Sequence, residues 1–376
     1  MNWKPDLDQL AEELPRRHLN LFDFMTRQEF QAEIDKLKRE ESKMNPYSMV
    51  IALSKLIAMA GDAHTALEIP KSNMVPFTCY WFEEGIYITG GVLPDINRLN
   101  HKILAIEGVP ISEIIDQLIQ VIPHENLQFV KSQVPLHLMC TDILYGLGVV
   151  AQVEEIGMTL EGPSGSRVDL TVPSVKYRDW EKIRTRNEEY YSLEKMEADK
   201  TLYVHYDRCQ EMEKPSMEDF IREIKGLLEI KGAYDTLVLD FRYNRGGNSE
   251  LFRPFIEWLG DFEKSHLALR IVVVVGRDTF SSALLNVFSL QAGTKATFIG
   301  EPTGGKPNCY GEVQYFQLRK SGLSVRYSTK YYYLLDDYQI DSFYPLVHLA
   351  VRFSDYGEKR DPCLAWICAE RVGKNE

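Results

Sequence analysis

The chain has 376 residues, 44% hydrophobic content, a formal net charge of −12 and a pI near 5.3. This length and hydrophobic content predict a folded protein of two or three domains, since a domain averages roughly 150 residues. The acidic balance argues against nucleic acid or an anionic membrane surface as a main partner, because both select for basic patches.

Segments that would direct export or membrane insertion are not found in the sequence. The chain has no run of about eighteen apolar residues, and residues 1–16 lack the basic-then-apolar layout of a signal peptide. We therefore expect a soluble protein without a membrane span. It would be cytoplasmic as the chain is written, and exported if a signal peptide has been removed.

Cysteine and histidine spacing gives no sign of a metal site. The six cysteines are dispersed, with no Cys-x-x-Cys pair, and are expected to be reduced thiols. Neither a His-Glu-x-x-His helix nor paired metal-ligand spacing occurs. The sequence therefore predicts neither a metal nor another cofactor. The cysteines are Cys79, Cys140, Cys209, Cys309, Cys363 and Cys368.

Residues 1–70 are predicted to form an N-terminal helical region. Thr26 begins a capping box ahead of an amphipathic helix. A second helix is expected to start at Asn45 and to end near Gly61, which stands where a C-terminal cap belongs. His64 is then expected in the turn just beyond this helix.

Residues 71–200 are predicted to form a β-rich middle domain. Short alternating runs, such as residues 85–89, are separated by glycine, proline and asparagine turns. Within this part, residues 99–119 predict a strand, a turn and a helix.

Residues 201–376 alternate between strand and helix patterns and are expected to form the third domain. Apolar runs too short for helices predict strands buried on both faces, so this part is typical of a layered α/β core. Periodicity alone does not distinguish its topology from a doubly wound sheet. The predicted elements are strand 237–241, helix 251–259, strand 271–275, helix 282–290 and a hairpin over 313–333.

Ser281 lies between the second of these strands and its helix, a setting that exposes a serine hydroxyl at a helix start. The preceding strand is followed by Gly246 and Gly247, which free backbone N–H groups to face a ligand. Together these elements predict a nucleophile and an oxyanion hole. The expected donors are the N–H of Ser282 and that of either Gly246 or Gly247.

Four motifs in this order closely resemble the serine peptidase family of the C-terminal-processing (tail-specific) proteases and the tricorn protease core. They are Gly61-Asp62-Ala63-His64-Thr65, the segment 202–209, the strand and glycine turn 237–248, and the serine turn 279–282 with Gly300-Glu301-Pro302-Thr303-Gly304-Gly305-Lys306 downstream.

The resemblance implies more about the fold than periodicity does. It implies that residues 201–376 form a Clp/crotonase-like spiral protease core within an α/β fold. Residues 102–111 are similar to half of a PDZ module, so the β-rich middle domain would be PDZ-like or a divergent version.

Two bases compete for Ser281. His64 matches the family's Gly-Asp-x-His-Thr motif, and an imidazole with an ordinary pKa near 6.5 suits proton transfer at neutral pH. Lys306 follows Ser281 by 25 residues, the spacing of the serine–lysine dyad in tail-specific proteases. His64 is the preferred base, because Tyr310 stands where the lysine branch places a glutamine.

The chain departs from the family at the third catalytic position. Tricorn-like relatives carry an orienting glutamate far downstream, and the nearest aligned position here is Gln339. Asp337 and Asp341 flank it and are the candidate substitutes. Leu284 also replaces a glutamate that many relatives carry after the serine.

The sequence therefore predicts a serine-type endopeptidase or peptidase that hydrolyses peptide bonds through an acyl-enzyme, with a peptide or protein as substrate. Two alternatives stay open: a Ser281/Lys306 dyad protease, and a catalytically inactive peptide-binding protein on the same fold. Homo-oligomerisation is also left open.

Overall fold

The computed structural model describes residues 2–91, 99–183 and 189–372. Its contacts divide the chain into two units. Unit 1 comprises Met1–Thr185 and Asn308–Tyr333, and unit 2 comprises Arg186–Pro307 and Leu334–Glu376. The three-domain division with boundaries near residues 70 and 200 stays a prediction.

The N-terminal part of unit 1 is helical, as predicted. The Thr26 hydroxyl accepts a hydrogen bond from the Glu29 N–H (3.1 Å), and the Glu29 carboxylate accepts one from the Thr26 N–H (2.7 Å), which confirms the capping box. Asn45 caps the next long helix by accepting from the Ser48 N–H. The helices are α1 (Lys4–Arg17), α2 (Arg27–Glu40) and α3 (Pro46–Ala58).

A mostly antiparallel sheet follows in unit 1, which confirms the β-rich middle region. Its strand order is β3-β4-β5-β7-β8, with β6 paired to β5. The predicted strand, turn and helix within residues 99–119 are β5, the Glu107-Gly108 turn and α4, but a PDZ module is not confirmed. The strands of this sheet are β3 (Phe77–Phe82), β4 (Gly85–Gly91), β5 (Lys102–Ile106), β6 (Val109–Pro110), β7 (Glu155–Glu161) and β8 (Arg167–Pro173).

Shorter elements complete this part of unit 1. The strands β2 and β9 pair with each other in an antiparallel ladder. The remaining elements are β1 (Ala66–Leu67), β2 (Asn73–Met74), α4 (Ile111–Ile119), α5 (Leu127–Leu138), α6 (Thr141–Leu147), β9 (Val175–Lys176) and α7 (Tyr177–Ile183).

The predicted hairpin is β15 (Cys309–Gln317) and β16 (Ser324–Tyr332), and β16 also pairs with β1. It turns at Gly322, whose φ of 73° is a left-handed conformation that favours glycine. Phe316 and Val325 of the hairpin pack in one hydrophobic core with α1, α2 and α3. The hairpin therefore belongs to unit 1, although it lies far along the chain.

Unit 2 contains a six-stranded sheet in the order β10-β11-β12-β13-β14-β17. The pairs from β11 to β17 are parallel, and β10 joins the edge antiparallel. The strands are β10 (Tyr191–Met196), β11 (Thr201–Tyr206), β12 (Thr236–Asp240), β13 (Arg270–Val275), β14 (Thr297–Gly300) and β17 (Val347–His348).

Helices cover both faces of this sheet, and alternate residues of each strand face opposite cores. Leu237 and Leu239 pack with α8, α9 and α10, whereas Val238 and Val272 pack with Ile367 of α12. The helices of unit 2 are α8 (Met217–Leu228), α9 (Arg253–Ser265), α10 (Ser282–Gly293), α11 (Phe353–Gly357) and α12 (Pro362–Val372).

This topology positions a site at one edge of the sheet. Strands β12 and β13 are parallel neighbours in register, with Asp240 opposite Val274. The loops that leave their carboxyl ends therefore emerge side by side, the edge at which open α/β sheets place their ligand sites. None of the helices within the described ranges has both the length and the hydropathy needed to cross a bilayer.

Candidate active site

Ser281 occupies a strained turn between β13 and α10. Its φ of 55° and ψ of −127° are rare for a residue with a side chain, and such strain is concentrated at functional sites. The Ser281 side chain makes no capping hydrogen bond to α10. Its hydroxyl is therefore not used as a helix cap, which was the simplest structural role for a serine at this position.

Thr279 holds the turn in place. Its hydroxyl donates to the Phe241 carbonyl at the end of β12 (2.8 Å) and accepts from the Gly276 N–H (3.0 Å). Arg277 and Glu301 form a buried ion pair that ties the start of the same turn to the end of β14. The strained serine is thus supported from both neighbouring strands.

The glycine loop after β12 lies directly against the serine. A Cβ placed on Gly246 would come 2.8 Å from the Ser281 Cβ and 2.9 Å from the Ser282 backbone nitrogen. The Phe280 N–H donates to the Asn244 carbonyl (3.0 Å), and the Ser282 hydroxyl donates to the Gly247 carbonyl (2.7 Å). These contacts join the two loops into one surface.

Hydrogen bonding distinguishes the two glycine amides. The Gly246 N–H donates to the Asn244 side-chain oxygen (2.9 Å), and the Asn244 amide donates to the Tyr206 carbonyl (2.8 Å). The Gly247 and Ser282 N–H groups have no acceptor among the described residues. Ser282 is also the first residue of α10, where the helix leaves its N–H groups unsatisfied.

Cys209 fixes the backbone of the glycine loop. Its N–H donates to the Gly246 carbonyl (3.1 Å) and its carbonyl accepts from the Asn248 N–H (2.7 Å). A Cβ at Gly247 would lie 2.2 Å from the Cys209 carbonyl oxygen, so this approach requires glycine. Asn244 and Cys209 are positioning residues that sequence reasoning did not single out.

His64 lies in unit 1, in the turn after α3, and is buried. The adjacent Asp62 carboxylate accepts hydrogen bonds from the His64 N–H (2.8 Å), the Thr65 hydroxyl, the Ser328 hydroxyl and the His18 ring. The His64 Nδ1 is 3.7 Å from Asp62 Oδ1, too long for a direct hydrogen bond. Asp62 therefore holds the turn that carries the histidine.

Burial of Asp62 disfavours its ionised form, but the hydrogen bonds from His18 and Ser328, together with the nearby His64, outweigh burial and hold the pKa of this carboxyl far below its usual range. Asp62 is consequently ionised across the physiological pH range. It provides a fixed negative charge beside His64.

Lys306 lies in unit 2, as Ser281 does. The preceding Gly305 donates its N–H to the Thr279 carbonyl (3.0 Å), and a Cβ on Gly305 would lie 3.3 Å from the Phe280 Cα. The backbone just before Lys306 therefore packs on the serine turn.

The downstream acid candidates make local contacts in an exposed loop. Asp341 accepts a hydrogen bond from the Tyr344 hydroxyl (2.7 Å). The Gln339 N–H donates to the Asp337 carboxylate (2.9 Å), and the Gln339 side chain is exposed. These contacts connect the residues to their own loop.

Glu125, which precedes the Asn126 N-cap of α5, is a half-buried acid near His64 whose carboxylate oxygens are shielded from solvent, and sequence reasoning did not select it. One potential metal-binding atom from each of Asp62, His64 and Glu125 lies within 4.8 Å of the other two. We assign no metal to this cluster, because four hydrogen bonds already engage the Asp62 oxygens. Its significance is that a second carboxylate approaches the histidine.

The structure therefore brings together Ser281, Ser282, Gly246 and Gly247 within unit 2. Gly305 brings the Lys306 segment to the same turn. His64 and its acidic neighbours form a separate cluster within unit 1.

Comparison with solved structures finds several proteins that align over most of this chain. Mature CPAF in complex with lactacystin aligns with a TM-score of 0.68 at 12% identity, over 99% of this chain and 99% of that chain. A second structure of mature CPAF gives 0.67 at 12% identity, over 100% and 98%. The photosystem II D1 C-terminal processing protease aligns at 0.44 with 15% identity, over 93% of each chain.

The similarity to CPAF shows a shared fold. At 12% identity it supports no statement about activity or catalytic residues. The helices and sheets of the structure confirm the α/β fold class. No protein-family model and no curated sequence matches the chain.

Proposed function

We propose that this protein is a serine peptidase, with Ser281 as nucleophile on a Clp/crotonase-like spiral core. The observation that carries the proposal is the strained, uncapped Ser281 packed against the Gly246-Gly247 loop. A serine held at a strand-to-helix turn beside backbone donors is the arrangement that acyl transfer requires. The motif resemblance supports the same function independently.

In the proposed reaction, the Ser281 Oγ attacks the carbonyl carbon of the scissile peptide bond and gives its proton to a general base. The negative charge that develops on the carbonyl oxygen is stabilised by the Gly247 and Ser282 N–H groups. We choose Gly247 over Gly246 because the Gly246 amide already donates to Asn244. Loss of one such donor typically lowers turnover by about 10²- to 10³-fold.

The tetrahedral intermediate then expels the amine, which takes a proton from the protonated base. A water molecule attacks the resulting Ser281 ester with help from the same base, and the acid product leaves. Over the whole cycle the protons balance: the proton from the Ser281 hydroxyl leaves on the amine product, and a proton from the water passes through the base to restore the Ser281 hydroxyl.

We assign His64 as the base that serves this cycle. Its turn is held by the ionised Asp62, and the fixed negative charge favours the imidazolium that forms when Ser281 attacks. Lys306 is the alternative, and the packing of Gly305 on the serine turn supports it. A lysine base needs a pKa lowered to about 7 to 8 by burial.

Labelling with a fluorophosphonate, alongside hydrolysis of casein or a peptide library, tests the proposal. We expect Ser281→Ala to remove labelling and to lower hydrolysis by at least about 10⁴-fold. Ser289→Ala is the matched control, because Ser289 lies on the exposed side of α10 and its hydroxyl donates to the Leu285 carbonyl. A wild-type protein that neither labels nor hydrolyses at any pH would identify a catalytically inactive peptide-binding protein.

The same assays decide between the two bases. Loss of labelling and hydrolysis in His64→Ala, with both retained in Lys306→Ala, supports the histidine mechanism. The reverse result would establish the Ser281/Lys306 dyad.

We also propose that the β-rich middle region binds the peptide substrate, which would add as a strand to a sheet edge.

A further inference from the structure

The histidine of a serine peptidase needs an acid that holds its ring and stabilises its positive charge. The carboxylate closest in sequence to His64 is Asp62, but its oxygens already accept hydrogen bonds from the His64 backbone, His18, Thr65 and Ser328. These bonds occupy the acceptor positions of the Asp62 carboxylate, which supports the backbone of the turn, and a second carboxylate lies near the ring.

Glu125 has the position that this role requires. A carboxylate oxygen of Glu125 lies within 4.8 Å of a His64 ring nitrogen. Both Glu125 oxygens and both His64 ring nitrogens are shielded from solvent. A carboxylate in such a site is weakly screened by solvent, so it acts strongly on the orientation of a neighbouring polar ring.

The backbone around Glu125 is also fixed. The next residue, Asn126, caps α5 by accepting from the Phe129 N–H (2.8 Å), and His124 Nδ1 lies 2.7 Å from the Ile122 carbonyl oxygen. A carboxylate on a rigid segment can hold a ring in one orientation. Asp341, by comparison, accepts a hydrogen bond from the Tyr344 hydroxyl.

We propose that Glu125 is the positioning residue for His64, and that its buried carboxylate fixes the ring and its tautomer in place of the downstream acid expected from the family. This inference rests on the proposed serine peptidase function. Glu125 acts through His64 and does not touch the substrate. The proton stays on the histidine during Ser281 attack, as in other triads.

Kinetics of Glu125→Gln and Glu125→Asp test the role. The glutamine keeps the shape and removes the charge, so we expect kcat to fall by about 10²- to 10⁴-fold while KM changes little. The aspartate keeps the charge and should retain more activity than the glutamine. Glu113→Gln, an exposed acid on α4, is the matched control and should leave kcat unchanged.

Nitrogen-15 NMR of His64 supplies a measurement that does not depend on catalysis. In Ser281→Ala protein we expect one dominant imidazole tautomer, because a carboxylate acceptor fixes which ring nitrogen carries the proton. Adding Glu125→Gln should change the tautomer ratio, and adding Glu113→Gln should not.

Unchanged kcat together with an unchanged tautomer ratio in Glu125→Gln overturns the inference. If Glu125→Gln does not fold, Glu125→Asp is the test variant. Its shorter side chain withdraws the carboxylate from the ring, so a wild-type kcat together with a wild-type tautomer ratio in this variant would also overturn the inference. A wild-type protein that is not labelled by the fluorophosphonate and does not hydrolyse peptides would contradict the proposed function. In that case the NMR comparison still tests whether Glu125 orients the His64 ring.

Discussion

Gly246 and Ser281 are in contact, and no side chain fits between them. A Cβ on Gly246 would lie 2.8 Å from the Ser281 Cβ, 2.9 Å from the Ser282 nitrogen and 3.0 Å from the Phe280 carbonyl oxygen. The serine turn and the glycine loop are therefore fitted to each other at the level of the backbone. Any atom added at position 246 must displace the proposed nucleophile or one of its donors.

The first prediction concerns Gly246→Ala. The residue has a φ of 97°, so alanine is strained there by roughly 1 to 3 kcal/mol before any clash is counted. We expect kcat/KM to fall by at least about 10²-fold, because a displacement of reacting groups by about 1 Å costs this much. Gly232→Ala is the control: its φ is 78°, but a Cβ there meets nothing within 4 Å. Equal loss of activity in both variants would contradict the contact argument.

The second prediction concerns the ion pair between Arg277 and Glu301. Arg277 Nε and Nη2 lie 3.1 Å and 2.5 Å from the two Glu301 oxygens, and both side chains are buried. Glu301→Gln leaves a buried guanidinium without its counter-charge, so we expect the free energy of unfolding to fall by about 3 to 5 kcal/mol. Urea denaturation measures this change.

A double-mutant cycle checks the cause. Arg277→Met combined with Glu301→Leu should be less destabilised than the sum of the single changes, because removing both charges leaves none unpaired. Glu250→Gln breaks the exposed Arg253–Glu250 pair and should change stability little. Additive single effects at 277 and 301 would show that the pair is not coupled.

The third prediction is a pH dependence of stability that arises from Asp62. Its pKa in the folded protein is far below the unfolded value of about 3.9, because hydrogen bonds from His18 and Ser328, with His64 nearby, outweigh the cost of burial. The stabilisation is therefore complete above pH of about 4 and is lost as pH falls towards the folded pKa.

Asp62→Asn should accordingly lower the free energy of unfolding by about 3 kcal/mol at pH 7. The difference from wild type should shrink as pH falls below about 4, which denaturant titrations at several pH values can follow. Asp35→Asn, at an exposed position on α2, should show neither effect. A difference that is constant from pH 7 to pH 3 would refute the assignment.

The fourth prediction concerns thiol reactivity. Burial raises the pKa of Cys140 and of Cys209 to about 11, and that of Cys363 to about 12. Since the thiolate is the reactive form, iodoacetamide at pH 8 should leave these three cysteines unmodified in the native protein and alkylate them in urea. Peptide mapping by mass spectrometry checks this. Rapid native alkylation of Cys209 would show that the glycine loop opens.

Local sequence signals predicted the individual elements well. The capping box at Thr26, the Asn45 cap and the buried strands β12 and β13 all depend on neighbours a few residues away, so spacing and side-chain chemistry were sufficient. Ser281 and the Gly246-Gly247 loop were also found from sequence. Both lie at the ends of strands whose apolar runs are unmistakable.

Features that depend on packing between distant parts of the chain could not be predicted from the sequence. The hairpin of β15 and β16 was predicted as a hairpin, but its placement in unit 1 depends on Phe316 and Val325 packing against helices some 300 residues earlier. The sequence could not choose between the Gly246 and Gly247 amides, because the choice follows from where the Asn244 side chain points.

The sequence by itself therefore determined the serine turn, the glycine loop and the alternation of strand and helix, because each is encoded by residues adjacent in the chain. Only the tertiary structure decided which amides are available and which acids surround His64. Glu125 is 61 residues from His64, and no periodicity or spacing relates them. Their proximity results from the folding of unit 1, which brings the polar atoms of both side chains together where solvent does not reach them.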